Sequence, residues 1–344
     1  MNNLYKGYIG RLSVVFTLFV ALIATGQLKA QPGEPARGFE EVADNLYRVQ
    51  NNNHYTMVLI TDEGAIITDP INREFSTWLK EELDDRFNAE VKYVLYSHHH
   101  WDHASGGAVF EDTAQFVGHQ NMLTNLAMPS ADTPLPANAV RMDANGDGVL
   151  ARSETSGNFQ NNFALYDADG DGIINGAEAS RGPVVDVRAP DLTYRDNMTI
   201  SLGGQSVEAI YAGDMTHSND MSVVLFPEQD TIFMVDWISL GRVPFGTLGS
   251  GKLEAWLNAI RFVEVLDYDI AAGGHGIIGD KADVTAVRHY LEELRDLVSA
   301  ALAEGQSLEQ MQATILMEKY SSWINYDTWV SQNVQGMYNI LSNQ

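Results

Sequence analysis

Not one cysteine occurs among the 344 residues. That excludes disulfides, thiolate metal ligands, cysteine nucleophiles and a lipid-anchored cysteine. Any metal site must be built from His, Asp and Glu. Positive charge is scarce as well: 21 Lys and Arg face 46 Asp and Glu, for a formal net charge of −25. The acids are spread along the chain, so its surface repels phosphate backbones and a nucleic-acid partner is not expected. Apolar runs long enough to span a membrane are missing too. The longest, LSVVFTLFVALIATG (Leu12 to Gly26), follows Lys6 and Arg11 and has the length of a signal-peptide h-region. Residues 1–30 are therefore expected to be an export signal, cleaved after Gly26 or Ala30. The mature protein would be periplasmic or secreted and free of the membrane. What the chain does have is core material, 45% apolar and 10% aromatic, enough for one large domain or two smaller ones.

After the linker QPGEPARG, the segments LYRVQ, YTMVLIT and AIITDP have strand composition, separated by turn-like NNNH and DEG. Phe75, Trp78, Leu79, Leu83 and Phe87 are spaced as on a helix over 73–88, and VKYVLYS is a short apolar strand. Further strands are expected at 114–118, 197–202, 205–211, 221–226, 230–236 and 268–272, with helices at about 282–303, 307–320 and 326–342. This mixture implies a layered α/β fold. Residues 128–182, introduced by MPSADTPLPANA, are unlike their surroundings.

VKYVLYS runs straight into SHHHWDHASGG, which gathers four of the nine histidines of the chain. Ligands are thereby placed on a loop at a strand's C-terminal end, where α/β folds hold their chemistry. In an extended H-x-H pair alternate side chains point the same way, so His98 and His100 can grip one ion while His99 faces away. Asp102 and His103 can then reach a second ion, before a helix-like start at 104–110. Such N/O ligands suit zinc, with iron or manganese also accommodated. Downstream, His217, Asp236 and His275 each stand at a strand-to-loop junction.

H-x-H-x-D-H followed by a lone His, an Asp and a final His, in this order, resembles the metallo-β-lactamase superfamily over about residues 40–280. The resemblance implies an αββα sandwich. It also implies a ligand set: His98, His100 and His217 on the first metal, Asp102, His103 and His275 on the second, and Asp236 bridging them. Asp69, in ITDP, would orient a ligating histidine from behind. Two such ions lower the pKa of a shared water towards neutrality and polarise a carbonyl or phosphoryl oxygen, which implies hydrolysis. Asp102 would also orient the nucleophile and pass a proton. In the superfamily a bridging Asp is typical of glyoxalase II-type thioesterases, lactonases and phosphodiesterases, whereas class B β-lactamases usually carry Cys or Ser there. A carbonyl substrate (lactone, ester, thioester or amide) is therefore expected, with β-lactam hydrolysis as the alternative. Iron-dependent dioxygenase members use fewer ligands than stand here. Of the other cationic residues, His54 sits in a turn that the resemblance sets over the metals, as a substrate contact or an ordinary exposed turn residue; His119 and His289 read as structural or solvent-facing, and Arg242 as a structural loop arginine in preference to a contact for an anionic substrate.

The unlike segment holds DANGDGVLARSE and DADGDGIINGAE, both of which fit the twelve-residue EF-hand rule. Asp143, Asn145, Asp147, Val149 and Glu154 would bind one calcium, with Gly148 at the turn. Asp167, Asp169, Asp171, Ile173, Asn175 and Glu178 would bind another, with Gly172 at the turn. The two loops lie closer together than in calmodulin-like pairs. Removing the segment also restores an ordinary interval between His103 and His217.

The expected organisation is an export signal (1–30), a catalytic domain in two pieces (38–138 and 183–280), an EF-hand-like insertion (139–182) and C-terminal helices (281–344) forming a cap. The cofactors would be two zinc and two calcium ions, and the substrate a small molecule. The competing expectation is a calcium-dependent module that captures a protein partner through the insertion.

Overall fold

The structure is a computed structural model and describes residues 34–215, 217–249 and 251–342. The expected export signal lies outside the described residues, and no helix among them is long and apolar enough to cross a membrane.

The chain opens with an antiparallel meander of β1 (Arg37–Ala43), β2 (Leu46–Asn51), β3 (His54–Thr61) and β4 (Gly64–Ile67). The helix Arg73–Phe87 then carries it to β5 (Val91–Leu95), which lies parallel to β4. Asn72 starts this helix by accepting a hydrogen bond from the Phe75 N–H, and Asn88 ends it in the left-handed conformation. β6 (Gln115–His119) extends the sheet. The small pair β7 (Leu150–Ala151) and β8 (Ile173–Ile174) stands apart, and β9 (Leu192–Tyr194) completes a seven-stranded sheet.

The second half repeats the plan. β10 (Asn197–Leu202), β11 (Gln205–Tyr211), β12 (Ser222–Phe226) and β13 (Thr231–Met234) form a second antiparallel meander. The helix Leu253–Glu264 leads to β14 (Ile270–Gly273), parallel to β13, and β15 (Ile278–Gly279) closes a six-stranded sheet. Helices Lys281–Ala303, Leu308–Thr314 and Tyr326–Ser342 follow.

Strand alternation decides the layering. Met57, Leu59 and Ile66 of the first sheet meet Val224, Phe226, Phe233 and Val235 of the second in one buried cluster. Their neighbours Val58, Ala65 and Ile67 turn the other way, onto Phe75, Leu79 and Leu83 of the first crossover helix. In the second half Val223, Ile232 and Met234 face Leu257, Ile260, Leu291 and Val334 of the helices. Both sheets are covered on both faces, which is why their strands read as near-continuous apolar runs. The order of layers is helix, sheet, sheet, helix. The C-terminal helices share one apolar cluster with the helix Leu253–Glu264 and the second sheet, so they extend the outer helical layer.

Two expected elements differ. The helix expected over 307–320 stops at Thr314, because the chain turns there to bury Ile315 and Met317, the latter at φ 51°. The strand expected over 230–236 ends at Met234. Asp236 lies two residues beyond, in the left-handed region at φ 60°, where a Trp237 N–H to Val235 carbonyl bond of 2.7 Å closes a γ-turn around it. The positive-φ γ-turn is the rare, strained form.

The segment expected to be an insertion has its own apolar cluster of Leu135, Ala139, Leu150, Phe159, Phe163, Tyr166, Ile174 and Ala179. Its two acidic loops are joined by the antiparallel pair Leu150↔Ile174. Where it returns to the sandwich, the Asp186 carbonyl accepts the Gly106 N–H at 2.9 Å, and the Asp186 carboxylate pairs with Arg73. Gly106 has φ 83°, and a Cβ there would sit 2.3 Å from the backbone of Asn72, so only glycine fits.

Candidate metal centre

The parallel register at the heart of each sheet places the site. Met234 of β13 pairs with Gly273 of β14, so Asp236 and His275, each two residues past its strand, stand side by side. In the first sheet Ile67 of β4 pairs with Val94 of β5, and Asp69 follows two residues past the end of β4 and His98 three past the end of β5. The extended chain through His98 and His100 then turns into the short helix Trp101–Ala104, whose Ala104 N–H reaches back to the His100 carbonyl at 2.8 Å. The change from extended to helical period sends Asp102 and His103 to a different place from the H-x-H pair.

Two clusters result. Ligand atoms of His98, His100, His217 and Asp236 lie within 4.8 Å of one another, and so do those of His54, His103 and His275. Asp236 joins the two. Its Oδ2 is 3.2 Å from His98 Nε2 and 3.0 Å from His217 Nε2, and its Oδ1 is 2.9 Å from His275 Nε2 and 3.3 Å from His103 Nε2. Asp102 stands at the rim of the second cluster, with Oδ2 3.9 Å from His103 Nε2 and 3.4 Å from His54 Nε2.

Outer groups hold these rings. Asp69, fully buried, accepts from the Ser97 backbone N–H at 2.8 Å and from the Ser97 hydroxyl at 2.6 Å, and Ser97 Oγ is 2.9 Å from His98 Nδ1. The Oδ2 that takes the Ser97 hydroxyl also stands 3.6 Å from His103 Nδ1, a buried nitrogen with no hydrogen-bond partner. His275 Nδ1 donates to the Asn53 carbonyl at 2.6 Å. His99 turns away as expected and pairs with buried Asp220 at 3.1 Å.

Burial pushes the pKa of His98 and His100 down, so both are neutral imidazoles, the ligating form. Burial would raise Asp236, but His103 and His217 hold it well below the usual carboxylate range. Burial would likewise lower His103, yet Asp236, Asp102 and Asp69 around it outweigh that and raise it to about 10. Here a proton answers a field of carboxylates, and a divalent cation coordinated by the same atoms would replace it. Together with the orphaned His103 Nδ1 facing Asp69, the all N/O donor set fits borderline divalent metals.

Every residue expected to ligate a transition metal is therefore brought to this edge of the sandwich. Ser97, Asp220 and the Asn53 carbonyl carry no motif signal. His54, expected in the turn, is half-buried and stacks edge-on against His275 at 4.6 Å between ring centroids. His119 is structural: its ring stacks on Tyr211, and its Nε2 donates to the Arg195 carbonyl at 2.9 Å. His289 lies on the surface of the helix Lys281–Ala303, away from the centre. Arg242 is half-buried over Trp329 at 4.7 Å and makes no direct ion pair among the described residues, although Asp236 is near enough to act on its charge.

In the acidic insertion, both oxygens of Glu178 accept loop N–H groups, from Ala168 at 2.8 Å and Asn175 at 3.0 Å. Glu154 does the same to Ala144 and Ala151. Asp143 gathers the N–H groups of Gly146, Asp147 and Gly148. Asp167, Asp169 and Glu178 converge within 4.8 Å, while the carboxylates of the first loop form no such group among the described residues.

Comparison with known proteins agrees with this geometry. The family described as "Metallo-beta-lactamase superfamily" matches over residues 51–275. A metallo-beta-lactamase from Pontibacter korlensis superposes with a TM-score of 0.51 at 16% identity, covering 75% of this chain and 99% of that one. The stereoselective inverting sec-alkylsulfatase Pisa1 from Pseudomonas sp. gives 0.58 at 15% identity, covering 88% of this chain, which spans 50% of the sulfatase. No curated protein matches.

Proposed function

We propose, from the premise that the chain belongs to the metallo-beta-lactamase superfamily of metal-dependent hydrolases, that it is an exported binuclear zinc hydrolase of a carbonyl substrate. The observation that carries this reading is the division of Asp236, one oxygen towards each histidine cluster. His98, His100 and His217 would hold one ion, His103, His275 and Asp102 the other, and Asp236 both. When bound, the ions supply Lewis acidity and bring a water near neutrality. The chain's own residues do the rest. Asp69 and Ser97 fix the tautomer and tilt of His98, the Asn53 carbonyl does the same for His275, and Asp102, at the open rim, orients water and accepts its proton.

The insertion is read as a structural calcium module, with Asp143, Asn145, Asp147, Val149 and Glu154 around one ion and Asp167, Asp169, Asp171, Ile173 and Glu178 around the other. It orders its own segment, and the chain that leaves it is tied back to the sandwich at Asp186, whose carbonyl accepts the Gly106 N–H. Calcium outside the cytoplasm is abundant enough to fill sites with dissociation constants of roughly 10⁻⁴ to 10⁻³ M.

A second reading, a sulfate ester with an apolar chain, is favoured by Arg242. It makes no direct ion pair among the described residues, its charge reaches Asp236 of the centre, and exposed Phe245 (75%), Ile277 (44%) and Ile324 (48%) lie around it. Turnover of the zinc-loaded, calcium-replete protein on lactone, thioester, β-lactam, phosphodiester and alkyl sulfate substrates tests both readings. Cleavage of a carbonyl ester, lost on chelation and restored by zinc, supports the first. Cleavage of alkyl sulfate alone, weakened in Arg242→Ala, replaces it with the second. Two bound ions with no turnover on any class would remove both substrate readings and leave the metal centre standing.

A further inference from the structure

The turn between β2 and β3 is tied across the metal centre at several points. Asn53 accepts the His275 ring N–H at 2.6 Å, and the Tyr55 N–H donates to the Gly274 carbonyl at 3.0 Å. Arg48 of β2, buried to 4% exposure, spends its guanidinium on the carbonyls of Gly273 (2.8 and 3.1 Å) and Gly276 (2.8 Å), and stacks on Tyr55 at 3.5 Å. A buried guanidinium bonded only to carbonyls is costly to place and costly to disturb. This turn is therefore a fixed wall of the centre, and His54 lies between the two anchored residues Asn53 and Tyr55.

We propose that His54 is itself a ligand of the second ion, alongside His103, His275 and the Oδ1 of Asp236; this rests on the binuclear reading above. One nitrogen of its imidazole lies within 4.8 Å of a nitrogen of both His103 and His275, and its ring centroid is 5.2 Å from that of His103 and 4.6 Å from that of His275. His103, His275 and Asp236 already form a triangle with sides of 2.9 to 3.3 Å, the spacing of three donors on one small cation. His54 adds a neutral nitrogen beside that triangle. Asp102, 3.9 Å from His103 and 3.4 Å from His54, completes the shell as its outermost member. The second centre would then hold three imidazoles, so the wall contributes to affinity as well as to shape.

The test uses the full chain loaded with cobalt(II), read by paramagnetic proton NMR, in which each ligating imidazole contributes a strongly shifted, exchangeable ring N–H. His54→Ala is expected to hold the second cobalt more than roughly 10-fold more weakly in chelator competition and, at saturation, to lack one shifted exchangeable resonance. His54→Gln, checked for native circular dichroism, should behave alike. Wild-type affinity and an unchanged number of shifted resonances in both variants would overturn the proposal while leaving two ions in place. Wild-type protein that takes up fewer than two cobalt ions would instead bring down the binuclear reading itself, and this proposal with it.

Discussion

The histidine centre and the acidic insertion are both oxygen- and nitrogen-rich ligand sets, but they are held in opposite ways. In the acidic loops most carboxylates are held by the loop that bears them: Asp143, Asp147, Glu154, Asp171 and Glu178 all accept backbone N–H groups within their own twelve-residue span, while Asp167 Oδ1 is buried without a partner. In the histidine centre only Ser97 is a chain neighbour of the ring it holds; Asp69 comes from the end of β4 and the Asn53 carbonyl from the hairpin turn. A local loop can carry its geometry as a cassette into any host. A centre made of strand ends depends on the packing of both sheets, and in exchange it can bury its charges and shift their proton affinities.

That contrast can be broken or sharpened by measurement. The largest effect should come from Asp236→Asn, which leaves the two imidazole clusters without their shared anion. Turnover is expected to fall by about 1,000-fold or more, the scale of losing a principal electrostatic group, and zinc content by one ion per chain, while calcium binding stays at wild type. Next comes Phe163→Ala in the insertion's own cluster, with an expected local cost of about 3 to 5 kcal/mol. Proteolysis within 139–182 should accelerate while zinc content is unchanged. If zinc content fell with it, the two regions would not be independent. Asp69→Asn should weaken zinc by about 10- to 100-fold without touching the insertion, as read by chelator competition.

The smallest effect concerns His119. Burial lowers its pKa, and its Nδ1 accepts the Asn121 N–H at 3.3 Å while Nε2 donates to the Arg195 carbonyl, a pattern that protonation would spoil. The unfolded chain takes the proton first, so this contribution is complete above about pH 6.5 and is lost as pH falls through the lower, folded value. His119→Phe should therefore flatten the decline of Tm below pH 6.5 relative to wild type. An identical decline in both proteins would dismiss His119 as its source.

Much of the centre was legible because its residues are chemically marked and its strands short and apolar. His98, His100 and His103 announce themselves, and Asp236 and His275 close apolar runs. What escaped was ordinary in type: Ser97, Asp220 and the Asn53 carbonyl become informative only when a fold brings them against a histidine. The helix expected to reach residue 320 failed for a similar reason. Its amphipathic spacing continued past Thr314, but burying Ile315 and Met317 under the outer helical layer overrode that local preference.

The amino-acid sequence by itself determined the chemistry of the ligands, their order, the absence of thiolates, the two acidic loops and the short apolar strands that the layers are built from. All of these follow from rules spanning a few neighbouring residues. The tertiary structure alone decided that Asp236 gives one oxygen to each cluster, that Asp69 sits behind His98 and His103, and that His54 joins the second cluster. Those facts hang on the register of β13 against β14 and on the Arg48 clamp, which set distances of a few ångströms between segments far apart in the chain.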